Sequence, residues 1–393
     1  MPSVIRITAV LLLFLSLSAC STVKGWFSLD DDEDPRRPAD LVDFKPRAKL
    51  ERLWSVNVGN GQGNGLYRLQ PAVDRDLVYV ASNDGRVVAV ERDSGKKRWE
   101  KRLEKSFSGG VGLHGDSLFL GTVDGELMRL SAEDGELVWS IPVSGEILSP
   151  PQGDGRVVVV QTYDGKLRAY DHDSAKRRWS YESNLPTLTL RGTGTPILAD
   201  GRVFAGFASG RVMAFDARSG SIEWEARVAI PQGRSEIERI VDIDGTMALV
   251  GAELYAASYQ GRIAAIEARS GNRIWQRDVS SFAGVSEGFS NVYVAEDDGS
   301  VKAFLRNGQG LRWEQDALAY RELSRPTPVS SYLAVADFEG YLHLLSQVDG
   351  SFVERLKVDG DGARADMHSD GRILYVYGNS GKLMAYEISA RGS

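Results

Sequence analysis

The stretch Leu77-Val78-Tyr79-Val80-Ala81-Ser82-Asn83-Asp84-Gly85-Arg86-Val87-Val88-Ala89-Val90-Glu91-Arg92-Asp93-Ser94-Gly95-Lys96-Lys97-Arg98-Trp99 decides the fold, because the chain repeats its plan. Leu77 to Val80 and Val87 to Val90 are β-rich runs separated by Asn83-Asp84-Gly85, and Asp93-Ser94-Gly95 then leads toward Trp99. Such glycine-ended polar clusters between apolar runs read as hairpin turns, since glycine adopts the positive φ they need. Outward from this unit, hairpin glycines recur at Gly85, Gly125, Gly165, Gly210, Gly261, Gly299, Gly340 and Gly381. The first six are followed fourteen residues later by Trp99, Trp139, Trp179, Trp224, Trp275 and Trp313. Glu354 stands at the seventh such position, and the chain ends before an eighth.

Four strands and their turns fill about forty residues, the period of one propeller blade. Four residues past the turn glycine, six units carry alanine, at Ala89, Ala169, Ala214, Ala265, Ala303 and Ala385. A small residue there lets sheets approach, while the tryptophan covers the seam. The last unit has runs near Ile373 to Tyr377 and Leu383 to Ile388, and only five residues follow Ile388, too few for a turn and an outer strand. Leu53 to Val58, which includes Trp54 and precedes the first unit, can supply it and close the ring. The reading is an all-β, eight-bladed β-propeller over residues 49–393, with the last blade shared between the termini.

Ahead of the propeller, Arg6, the apolar run Ile7 to Leu17 and Leu17-Ser18-Ala19-Cys20 have the order of an export signal. The run is too short to span a bilayer permanently. The segment resembles a bacterial lipobox, which implies removal of residues 1–19 and acylation of Cys20, the chain's one cysteine. A lone cysteine cannot form an internal disulfide or a thiolate metal cage. By resemblance to sorted lipoproteins, Ser21 in place of a retention aspartate points to the outer membrane. An ordinary secretory signal would leave Cys20 incidental but would still export the chain. Loss of Arg6 leaves 46 basic against 54 acidic side chains, a net of −8, so nucleic acid is excluded as a natural partner. Residues 20–48, with the acidic cluster Asp30 to Asp34 and few apolar residues, read as a flexible tether to the membrane.

Ala214-Phe215-Asp216-Ala217-Arg218-Ser219-Gly220-Ser221-Ile222-Glu223-Trp224 resembles the repeats of pyrroloquinoline-quinone dehydrogenases. By their family pattern those enzymes use calcium, a catalytic aspartate and often a vicinal disulfide, and they carry large insertions around the cofactor. This chain lacks the length and the cysteines. His114, His172, His343 and His368 share no repeat position or metal spacing. Asp242-Ile243-Asp244-Gly245 opens like a calcium loop without its closing glutamate. The run Gly59 to Gly65 precedes a strand rather than a helix and reads as a flexible loop. No cofactor, metal site or catalytic group is expected.

Function on a rigid repeat is expected where the repeat is interrupted. From each outer-strand tryptophan, or its stand-in, to the next turn glycine are 31, 26, 26, 31, 37, 24, 27 and 27 residues. The excess follows Trp54, Trp179 and Trp224, in connections that all emerge on one face. The second and third hold Leu188, Leu190 and Arg191, and then Asp242 and Asp244, on consecutive blades. Leucines beside an arginine, facing a carboxylate pair, have the composition of an interaction hot spot with a polar rim.

Together, the lipobox, the acidic tether, the Trp-marked blades and the Leu-x-Leu-Arg-Gly loop with its downstream Asp-x-Asp resemble the BamB family. These are propeller lipoproteins of the outer-membrane β-barrel assembly machinery. The resemblance implies a non-catalytic scaffold that docks on a periplasmic POTRA domain of BamA through Leu188, Leu190, Arg191, Asp242 and Asp244. Through BamA it would meet the rest of the complex, and the N-terminal lipid would hold it to the membrane. Glu354 departs from the family's repeat and puts the packing of its blade in question. The alternative is a quinone-dependent periplasmic dehydrogenase. A surface that holds unfolded outer-membrane proteins by strand addition is compatible with docking.

Overall fold

In a computed structural model, which describes residues 36–391, the chain forms eight four-stranded antiparallel sheets. No helix occurs among the described residues. The lipobox, Cys20 and the cluster Asp30 to Asp34 lie outside them. Blades 1 to 7 occupy residues 72–102, 107–142, 152–182, 197–227, 248–279, 285–315 and 327–357, with strand order following chain order. Blade 8 is built from both ends: His368–Asp370, Ile373–Tyr377 and Lys382–Ala390, then Ala48–Asn57 outermost. The closing strand starts five residues earlier than Leu53, and it sets Trp54 opposite Ala385.

The repeated alanine and tryptophan turn out to be cross-strand partners, as in Ala89 opposite Trp99 and Ala214 opposite Trp224. The indole therefore lies outward over a methyl group and reaches the neighbouring blade. There its Nε1–H donates to a backbone carbonyl: Trp54 to Arg92 at 2.8 Å, Trp179 to Ala217 at 2.9 Å, and Trp224 to Ala268 at 3.0 Å. Each of these three rings also lies on the glycine of that blade's second turn, whereas the turn facing Trp139 carries Ala175 at φ 55°. A Cβ built on Gly95, Gly220 or Gly271 would come within 2.7 Å of Trp54, Trp179 or Trp224. These glycines are thus required twice, for positive φ and for close approach of the ring. The hairpin glycines have positive φ as expected except Gly261, where Gln260 (φ 44°) takes the left-handed position. Gly261 instead answers a crowded contact, since a Cβ there would meet Ser258 Oγ at 2.2 Å.

The departure at Glu354 follows from ring closure. A tryptophan in blade 7 would need a second turn and a free carbonyl in blade 8, but there the chain runs straight through Lys382–Ala390. Ile388, the equivalent of Ala217 or Ala268, is paired with Leu50 of the closing strand. Glu354 is buried and accepts from Arg391 at 3.1 Å, and Leu344 replaces the usual alanine opposite it. The blade is packed by other means. Phe44, ahead of the first strand, stacks on Phe352 with centroids 5.4 Å apart, and Arg355 lies over both rings. Arg355 also donates to the Val42 carbonyl at 2.9 Å and to His343 Nδ1 at 3.1 Å. His343 is fully buried, and its Nε2 faces Asp337 at 3.0 Å. Residues around Leu41 and Phe44, expected to belong to the tether, therefore pack on the propeller.

Candidate partner-docking site

The connection between blades 3 and 4 carries Leu185 and Leu188, both exposed, then half-buried Leu190, exposed Arg191 and half-buried Gly192. The connection between blades 4 and 5 passes beneath it. Asp242 is buried, and its Oδ2 accepts the Leu190 backbone N–H at 2.5 Å. Asp244 packs on Gly192, where a Cβ would meet its Oδ2 at 2.7 Å. Between them Ile243 is fully buried against Gly206. The Asp-x-Asp spacing thus sends one apolar side chain into the inter-blade core and two carboxylates against the Leu-Arg-Gly loop.

The structure brings the five expected residues together but changes the role of two. Asp242 and Asp244 do not form a solvated rim beside the leucines; they hold the loop that presents Leu188 and Arg191. Burial pushes Asp242 up to about 7, against the opposing pull of the Leu190 N–H. Burial and then the Asp242 charge push Asp244 up to about 8, with Arg68 acting in the opposite direction. Asp242 Oδ1 and Asp244 Oδ2 are buried without a hydrogen-bond partner, consistent with carboxyls that hold protons near neutral pH.

Arg191 is oriented from two sides, by Glu146 at 2.8 Å and by the Tyr67 ring 5.6 Å away. Neither residue was expected in the site. Tyr67 belongs to the third long connection, after Trp54, whose glycine run was expected to be flexible. It is instead folded: Gly59, Gly61 and Gly63 have φ between 55° and 63°, and buried Gln62 bonds both the N–H and the carbonyl of Leu69. The available signal was length, because this connection matches the one after Trp179. Glu146, on a connection of ordinary length, gave no signal.

Fold and site together define a closed propeller of Trp-marked blades whose longest inter-blade loops form one surface. Among the described residues, no three His, Cys, Asp or Glu side chains are grouped to hold a metal ion. The chain belongs to the BamB family. The family model described as outer membrane protein assembly factor BamB matches residues 47–108 and 83–315. The curated outer membrane protein assembly factor BamB of Pseudomonas aeruginosa is 48% identical over 97% of this chain and 98% of its own. The crystal structure of BamB from Moraxella catarrhalis superposes with a TM-score of 0.80 at 29% identity, covering 86% of this chain and 100% of that one. A quinohemoprotein alcohol dehydrogenase from Comamonas testosteroni shares the fold alone, at 14% identity and a TM-score of 0.67 over 89% of this chain and 78% of its own.

Proposed function

We propose that this protein is a non-catalytic scaffold of the outer-membrane β-barrel assembly machinery. It docks on the periplasmic POTRA domains of BamA and thereby aids folding and insertion of outer-membrane proteins. The observation that carries the reading is the loop of Leu188, Leu190 and Arg191, presented outward and braced by Asp242 and Asp244. Exposed leucines next to an oriented arginine suit a partner surface better than a core. Membership in the BamB family supports the machinery. The dehydrogenase alternative rests on fold likeness only, which does not carry function. In this reading residues 1–19 are removed, acylated Cys20 anchors the chain to the outer membrane on the periplasmic side, and the residues between Cys20 and Leu41 link anchor and propeller.

The test is affinity for purified BamA periplasmic domains. Leu188→Ala should weaken binding by about 1 to 4 kcal/mol, as for truncation of an interface anchor, with an unchanged melting temperature. Lys382, exposed on blade 8, is the control site; Lys166 is less suitable because it pairs with Asp164. Wild-type affinity in Leu188→Ala, together with loss on changing Lys382, would move the docking face elsewhere. Fatty-acid labelling of wild type but not Cys20→Ser would establish the anchor, and no cofactor spectrum should appear with pyrroloquinoline quinone and calcium.

A further inference from the structure

A cavity of about 300 Å³ opens beside the docking loop, and Leu190, Arg191 and Asp244 form part of its wall. Its wall is drawn from the connections that precede blades 1, 3, 4, 5, 6, 7 and 8, so it sits at the mouth of the propeller axis. Leu66, at 69% exposure, stands at the rim, and Phe282 contributes an aromatic wall. Two guanidiniums line the space, Arg68 and Arg364. Arg68 donates to the Phe282 carbonyl and Arg364 to the Gly65 carbonyl, each at 3.0 Å. Among the described residues neither has a carboxylate within 4.0 Å.

Burial holds Arg364 below its ordinary value, against the opposing pull of the Glu322 carboxylate. A desolvated guanidinium with no close counter-charge is a costly arrangement that an incoming anion would relieve. The remaining charges on the wall leave room for one. Arg191, also on the wall, is paired with Glu146, which does not line the cavity; Glu322 is exposed, and Asp244 offers a carboxyl oxygen without a partner. Tyr320 and Glu322, near the same wall, hold φ of 55° and 47°, a strained backbone of the kind found at binding sites. The volume is at the low end for ligand pockets, roughly 300 to 1,000 Å³, so it suits one or two side chains rather than a cofactor.

We propose that this axial cavity binds the acidic side chain of a peptide segment, a glutamate or aspartate with an apolar neighbour. The carboxylate lies between Arg68 and Arg364, and the apolar neighbour lies against Phe282 and Leu66. The proposal deepens the docking reading and rests on it, because Leu190, Arg191 and Asp244 share the wall, whereas Leu188 does not line the cavity.

The probe is acetyl-Phe-Glu-Leu-amide carrying a fluorinated phenylalanine, titrated with the purified full-length protein and followed by fluorine NMR line broadening. The glutamine version should bind at least tenfold more weakly. Arg68→Gln and Arg364→Gln should each lose at least tenfold, while Arg364→Lys, which keeps the charge, should lose less. Leu188→Ala should bind the peptide like wild type, even where it fails to bind BamA, so the two readings fail separately. Equal binding of the two peptides, no broadening, or an unchanged titration in both folded arginine variants would overturn the proposal. So would 4-phenylbutyrate binding as tightly as the peptide, which would make this a small-anion pocket. If the arginine variants misfold, the paired peptides on wild type decide alone.

Discussion

The blades meet through two unlike kinds of contact, one at the outer rim and one at the axial face. At the rim, tryptophans lie on glycine turns and donate to backbone carbonyls, so the contact is apolar, neutral and repeated. At the axial face, between blades 3, 4 and 5, loops of unequal length are held by two carboxyls whose protonation is shifted into the physiological range. The first arrangement stabilises a ring whatever its loops contain. The second lets the ring present a surface that differs from blade to blade, at the cost of buried polar atoms.

The sharpest way to break the comparison is to open the rim. Deleting residues 49–58 removes Trp54 and nearly all of the closing strand, and cooperative thermal unfolding should be lost or lowered by far more than any single substitution achieves. Deleting residues 21–40 should leave the melt close to wild type, and equal melts for the two deletions would disprove closure as a main source of stability. Next, Trp224→Ala should cost about 3 to 5 kcal/mol in urea unfolding, the range for a buried aromatic truncated to alanine. Phe44→Ala, at the one rim position without a tryptophan, should cost about 1 to 2 kcal/mol, because one face of a stacked pair is lost while Arg355 keeps its other partners. A cost as large as that of Trp224→Ala would show that Phe44 replaces the tryptophan fully.

The axial face should respond to pH where the rim does not. Asp242 and Asp244 have folded-state values above that of an unfolded carboxyl, so between about pH 4 and their values near 7 and 8 the folded protein holds more protons. Their contribution to stability therefore falls as pH rises through that window. Asp244→Asn should lose less stability than wild type between pH 5 and 9, whereas Trp224→Ala should parallel wild type. Parallel urea midpoints for Asp244→Asn and wild type across that range would mean that the carboxyl is not held protonated. The smallest effect belongs to Leu188→Ala, within about 0.5 kcal/mol of wild type in stability, as for an exposed side chain away from the core.

The repeat, the blade number and the closing strand were legible in the residues alone. Glycine at a positive-φ turn and tryptophan over a methyl group are local requirements that recur at fixed spacing, and counting them leaves one strand to be found at the other end of the chain. The unequal loops were legible too, as excess length, and they located Leu188, Leu190, Arg191, Asp242 and Asp244. What those loops do to one another was decided only in three dimensions. Whether Asp242 faces solvent or the Leu190 N–H depends on how two connections stack, and nothing in the spacing of one loop reports the height of the next. Tyr67 and Glu146 reach Arg191 from 124 and 45 positions away in sequence, and Arg68 and Arg364 meet only because the ring closes. Glu354 was visible as an exception, but its cause, an acceptor position already paired with the returning N-terminal strand, exists only once the ends have met.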